Sequence, residues 1–150
     1  MRRGEWMSIS SRFSVAIHIL ALLEINKDSV CTSDILAGSI NTNAVVVRKI
    51  IGMLKKAELV SVRPGVAGTQ LAKVLSEISL LEVYKAVNVV KEHELFSIHD
   101  KPNPNCLVGR NIQESIEPVF VAAQLAMEEK LMSYTLSDIV DSIISNEQSN

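Results

Sequence analysis

The sequence predicts a mostly α fold with one small β-wing, an α+β chain whose strands are confined to a single short stretch. Three observations predict it. Residues 41–72 read in turn as a helix cap (Asn41-Thr42-Asn43), a basic amphipathic helix, a short strand (Leu59 to Arg63), a Pro-Gly loop and a returning extended segment (Thr69 to Ala72). Residues 111–133 carry apolar side chains at helical spacing, over a length greater than a small domain's own core requires. Apolar residues make up 47% of the 150 positions, an ordinary globular composition that gives these elements a core to share.

Each element has its own local reason. From Ser10 to Asn26 one apolar stripe holds Phe13, Ala16, Ile17 and Leu20 and another holds Val15, Ile19 and Leu22, so this helix should be packed on two sides. Cys31-Thr32-Ser33-Asp34 supplies cap chemistry for a short helix to Ser39, with Ile35 and Leu36 inward. After the turn Gly38 to Asn43, a helix from Ala44 to Ala57 directs Val47, Ile50, Ile51 and Leu54 to a core. Its other face shows Val45, Arg48, Lys49, Lys55 and Lys56. In the strand that follows, Val60 and Val62 alternate with Ser61 and Arg63, as one buried face demands. Pro64-Gly65 sets a turn, and Gly65 and Gly68 permit backbone angles closed to other residues.

Ser79 caps a further helix, Leu80 to about Lys91. Residues 92–110 are rich in turn formers and read as a loop. The long helix runs from Asn111 to about Ser133, where Pro118 either kinks it or marks its true start. Its stripe of Ile112, Ile116, Val119, Phe120, Ala123, Met127 and Leu131 is the candidate dimer interface. Thr135 caps a last short helix, Leu136 to Ser145. The domain division is therefore a winged helix-turn-helix unit over 8–91, a loop over 92–110, and a dimerisation helix with its terminal short helix over 111–145.

Charge is segregated along the chain. Residues 1–73 hold ten Lys/Arg against five Asp/Glu, or +5, and residues 74–150 hold five against twelve, or −7. The net charge of −2 conceals a basic half suited to phosphate and an acidic half that should avoid it. Aromatic content of 4% argues against a stacking platform for single strands. Two cysteines point to a reduced compartment without a disulfide framework. Phe13 to Leu23 follows arginines as a signal segment would, but Glu24 to Asp28 offer no cleavage site and the run is too short to span a bilayer. A cytoplasmic protein with no membrane contact is expected. Met7-Ser8-Ile9-Ser10 reads as a start, with the stretch MRRGEW upstream of it.

A helix-turn-helix followed by a glycine-bearing basic hairpin is made to set cations against double-stranded DNA in two adjacent grooves. A transcription regulator is the first reading. A winged-helix module used for protein–protein contact, without operator binding, is the alternative. Enzyme chemistry lacks support, since neither a phosphate loop nor a Ser/His/Asp set is present and the carboxylates fall on solvated helix faces.

The stretches SISSRFSVAIHILALL, LKKAELVSVRPGVAG, ISLLEVYKAV and the final LSDIV resemble the Rrf2 family of winged-helix regulators, over about Ser8 to Ile144. The resemblance implies a homodimeric, bacterial, cytoplasmic DNA-binding protein, usually a repressor, whose long helices cross between subunits. It carries the DNA-reading role to Thr42, Asn43, Val45, Val46, Arg48 and Lys49 on the recognition helix. It also carries that role to Arg63, Pro64, Gly65, Ala67 and Gly68 in the wing and to Ser8 and Arg12 at the first helix. Two positions depart from the family's pattern: Glu58 stands where glycine usually ends the recognition helix, and Ala67 replaces the first of a glycine pair.

Many members hold an iron–sulfur cluster on three loop cysteines, whereas this loop has Cys106 alone, so the chain resembles the cluster-free branch and no cofactor is expected. His93 and His99 precede Cys106, but reading them as loop surface residues is preferred to a metal site. A signal then enters through oxidation of Cys106, the possible redox sensor at a helix N-terminus, or through a small-molecule effector between the wing unit and the long helix, or there is no effector. Against the redox route stands the plainer and preferred reading of Cys31 and Cys106 as inert small hydrophobes.

Overall fold

The computed structural model of the chain describes residues 7–88 and 96–150. Its elements are α1 (Ile9–Ile25), α2 (Ser33–Ile40), α3 (Ala44–Lys56), β1 (Val60–Ser61), β2 (Gln70–Leu71), a 3-10 turn (Leu75–Glu77), α4 (Leu80–Val87), α5 (Leu107–Met132) and α6 (Leu136–Gln148). The α+β class read from the sequence is the class observed. Among the described residues no helix is long and apolar enough to cross a membrane.

The core is built around α1, which packs against α2, α3, α4, α6 and β2. Ala16, Ile19 and Leu20 are wholly enclosed, and Val47, Ile50 and Leu54 of α3 meet them from the other side. Phe13 of α1 meets Tyr84 of α4 edge-on, with ring centroids 5.6 Å apart. In α2 the expectation for Ile35 does not hold. It is 55% exposed while Leu36 and Ala37 are buried, because a helix this short offers the core one narrow face and Ala37 takes the second place on it.

The hairpin is shorter than its sequence pattern. Only Val60↔Leu71 and Ser61↔Gln70 pair, antiparallel, so the expected strands Leu59 to Arg63 and Thr69 to Ala72 shrink to two residues each. Val60 is buried but Val62 is exposed, since the chain turns away from the core before the alternation repeats. The expected helix from Leu80 keeps its capping box at Ser79 and Glu82 and ends at Val87; residues 89–91 of that expectation, and His93, lie outside the described residues.

Two corrections concern the C-terminal half. Helix α5 begins at Leu107, four residues before Asn111, and absorbs Val108, Gly109 and Arg110 from the expected loop. Pro118 therefore lies inside the helix, which runs through it. Helix α6 returns to the first unit. Leu136 is wholly enclosed and Val140 buried in the same core as α1. The main chains of Ser79 and Thr135 form an antiparallel bridge, with Leu80 N–H donating to the Tyr134 carbonyl and Leu136 N–H to the Ile78 carbonyl, both at 2.9 Å. The last helix of the expected 111–145 unit thus packs into the core of residues 8–91.

Candidate nucleic-acid interface

The connection between α2 and α3 is built from three residues with separate tasks. Asn41 takes the left-handed conformation, φ 62°, that stops α2, a conformation asparagine tolerates better than most residues. Thr42 N–H donates to the Ala37 carbonyl at 3.0 Å. Asn43 caps α3, its Oδ1 accepting from Val46 N–H at 3.0 Å. The turn leaves one face of α3 to solvent. Val45 is 55% exposed, and Arg48, Lys49, Lys55 and Lys56 lie on the surface.

The wing stands next to this helix in the chain and shares its charge. Val66 N–H donates to the Arg63 carbonyl at 3.1 Å, closing a turn with Pro64 second and Gly65, φ 76°, third. That is type II geometry, which requires the positive φ glycine supplies. At Gly68, φ 91°, a β-carbon would sit 3.1 Å from the Cys31 nitrogen and 3.3 Å from its carbonyl oxygen. The adjacent Thr69 N–H donates to that same carbonyl at 3.0 Å. The wing is pinned at its base to the connection between α1 and α2, while Arg63, Pro64, Gly65, Val66 and Ala67 project into solvent.

Placement of the other sequence-predicted residues is mixed. Ser8 is exposed and caps α1, its Oγ accepting from Ser11 N–H at 3.2 Å. Thr42 is half-buried. Val46 belongs to the core, since its position on α3 falls beside Ile50 and on the side away from Arg48. Arg12 is only 5% exposed, and its Nε has no partner among the described residues. Burial pushes its guanidinium pKa down. One turn into a helix enclosed on several sides, Arg12 is not displayed to a duplex as the sequence suggested.

The cysteines are separated and chemically unlike. Cys31 is buried, and desolvation pushes its thiol up. Cys106 is exposed at the N-cap of α5, where the backbone N–H groups of Gly109 and Val108 favour the thiolate and lower its pKa. Cys106 is therefore not packed into the core of this chain. His99 is exposed, and its carbonyl accepts from the Gln113 amide at 3.2 Å. Among the described residues no group of three His, Cys, Asp or Glu side chains is placed to hold a metal.

A basic recognition helix, a capped turn and a pinned, cation-bearing wing define a winged-helix DNA-binding regulator. The Rrf2 family model, described as an iron-dependent transcriptional regulator, matches residues 9–142, and the chain belongs to that family. It is 49% identical over 133 residues to YwnA of Bacillus subtilis (strain 168), a candidate HTH-type transcriptional regulator, covering 89% of this chain and 97% of that one. A crystal structure of a candidate DNA-binding protein superposes with a TM-score of 0.69 at 44% identity, covering 85% of this chain and 97% of the other. The oxidized form of CymR from Staphylococcus aureus shares the fold, with a TM-score of 0.63 at 20% identity over 89% and 96% of the two chains.

The donors here do not suit an iron–sulfur cluster held by this chain's thiolates. An iron–sulfur cluster needs several thiolates converging on one site. This chain has two cysteines in all, one enclosed in the core and the other exposed at the head of α5.

Proposed function

We propose that the protein is a homodimeric, cytoplasmic repressor that reads a two-fold symmetric operator without an iron–sulfur cluster and performs no catalysis. The observation that carries the DNA-reading part is the shared exposure of Arg48, Lys49 and Arg63 on an ordered recognition helix and wing. Cations so placed release counterions from a duplex, which makes affinity fall steeply with salt. Val45 lies on the same helix face, where it can meet a thymine methyl group.

Dimerisation is supported by α5. Among the described residues none of its 26 is buried, and α4 is its main packing partner. The stripe expected to pair divides. Phe120 and Leu131 turn toward α4 and the core, whereas Val119 is 64% exposed and Ala123 is also open. The face that remains carries Val108, Ile112, Ser115, Val119, Ala122 and Ala126, at alternating steps of four and three. That is heptad spacing with small residues, suited to a closely packed helix pair from two copies of the chain.

The test is duplex binding as a function of salt. Replacing Arg48, Lys49 and Arg63 by alanine removes these cations from both protomers and should lessen the slope of log affinity against log salt by about 5 per dimer, at roughly 0.9 per phosphate contact. A protein-contact module would show weak duplex binding indifferent to these residues. Sequences selected from random duplex should contain two half-sites about one helical turn apart.

For the signal, Cys106 is the group an oxidant reaches first. Its thiolate attacks hydrogen peroxide, giving the sulfenic acid and hydroxide. Peroxide-dependent loss of operator binding that persists in Cys106→Ser would remove this route.

A further inference from the structure

We propose that the cavity between α4, residues 96–98 and α5 is a binding site for a flat, hydrophobic organic cation. Its volume is 630 Å³, within the range of small-molecule sites. One side is aromatic: Phe96 and Phe120 stack with centroids 5.2 Å apart and 29° between their planes. Ile98, Val121 and Leu125 extend that wall. A planar apolar body fits such a surface, and ring faces attract positive charge.

The polar side selects the sign. Asn88 Nδ2 donates to the Tyr84 hydroxyl at 3.4 Å, and Asn88 Oδ1 is left buried with no partner among the described residues. A buried acceptor without a donor is unfavourable until a donor arrives. The carboxylates of Glu117 and Glu128 also line the cavity, against the single ammonium of Lys85. Burial, and after it the charge of Glu128, pushes the Tyr84 hydroxyl up, so it stays neutral. An anion would face two carboxylates, and a neutral hydrocarbon would leave Asn88 unsatisfied. A cation bearing N–H groups answers both. Because α4 forms one wall and α5 the other, an occupant sets how these two helices pack.

The site does not depend on duplex binding and is tested without DNA. Proflavine, a fluorescent planar cation, is titrated into the full chain beside anthracene carboxylate, which has a similar ring system and the opposite charge. Proflavine should bind saturably and the carboxylate should not. The double variant Glu117→Gln/Glu128→Gln should weaken proflavine by about tenfold, the combined effect of two partly screened charge contacts. Phe120→Leu, which keeps the apolar volume, should weaken it further by removing the ring face. Far-ultraviolet circular dichroism checks that both variants fold as the parent does. Saturable binding absent from the parent, equal binding of the two probes, or proflavine affinity unchanged in the glutamine variant would each overturn the proposal. Loss of operator binding with proflavine binding intact would instead count against the regulator reading alone.

Discussion

Glu58 holds a backbone conformation that suits glycine. It stands at φ 62° at the end of α3, with its N–H donating to the Lys55 carbonyl and Leu59 N–H to the Leu54 carbonyl, both at 3.0 Å. This pair of bonds is the Schellman arrangement, whose left-handed residue costs a side chain about 1 kcal/mol or more. The family's usual glycine at this position already marks it in the sequence, but only the backbone angle shows the strain. Glu58→Gly should raise stability by about 1 kcal/mol and the thermal midpoint by about 2–4 °C; an unchanged midpoint would mean the strain is relieved elsewhere. The cysteines make a second prediction at this scale. Cys106, exposed with a lowered pKa, should react with iodoacetamide below the ordinary thiol range, while Cys31, buried with a raised pKa, should react only on unfolding. Equal rates for the two, followed by peptide mass spectrometry, would contradict this. Both thiols were visible as letters, but burial was not, and burial decides which one is reactive.

Among the elements, those with local signals were legible. The caps at Ser79, Thr135 and Asn43 are read from residue type and all three accept the hydrogen bonds expected of them. The start of α5 was not legible, because Cys106 makes no side-chain cap bond and Gly109 resembles a loop residue. In the fold Gly109 lies so close to Asn103 that a β-carbon would collide with its main chain, a packing reason no sequence pattern shows. The capping box of α4 makes a testable link to pH. Burial alone would raise the Glu82 pKa, but the Ser79 backbone N–H and then Lys73, at 3.0 Å, outweigh it and lower the value. A folded pKa below the unfolded one means the contribution is present above the unfolded carboxylate range and is lost as pH falls through the folded value. Glu82→Gln should therefore narrow the stability difference between neutral and acidic solution relative to the parent, as measured by urea unfolding. Identical pH profiles would show that the contacts of Glu82 add nothing.

For the whole molecule, the decisive surface is the open face of α5. A carboxylate placed there at Val119→Glu would be desolvated in any helix pair, at a cost of several kcal/mol if left unpaired. The variant should sediment as a monomer with unchanged helix content and should lose affinity for a two-half-site duplex far more than for a single half-site. A variant that stays dimeric would move the interface elsewhere. The sequence by itself determined the helical class, the capped turn, the basic helix and wing, and the segregation of charge, because these depend on residues near one another in the chain. Which residues of a helical stripe face inward, where α6 docks, that Arg12 is enclosed, and that Tyr84, Asn88, Phe96 and Phe120 share a cavity were decided by tertiary packing alone. Periodicity gives a helix its apolar side but not its neighbour. The neighbour is set by contacts between segments far apart in the chain, such as the Ser79–Thr135 bridge that brings the C-terminal helix back to the first.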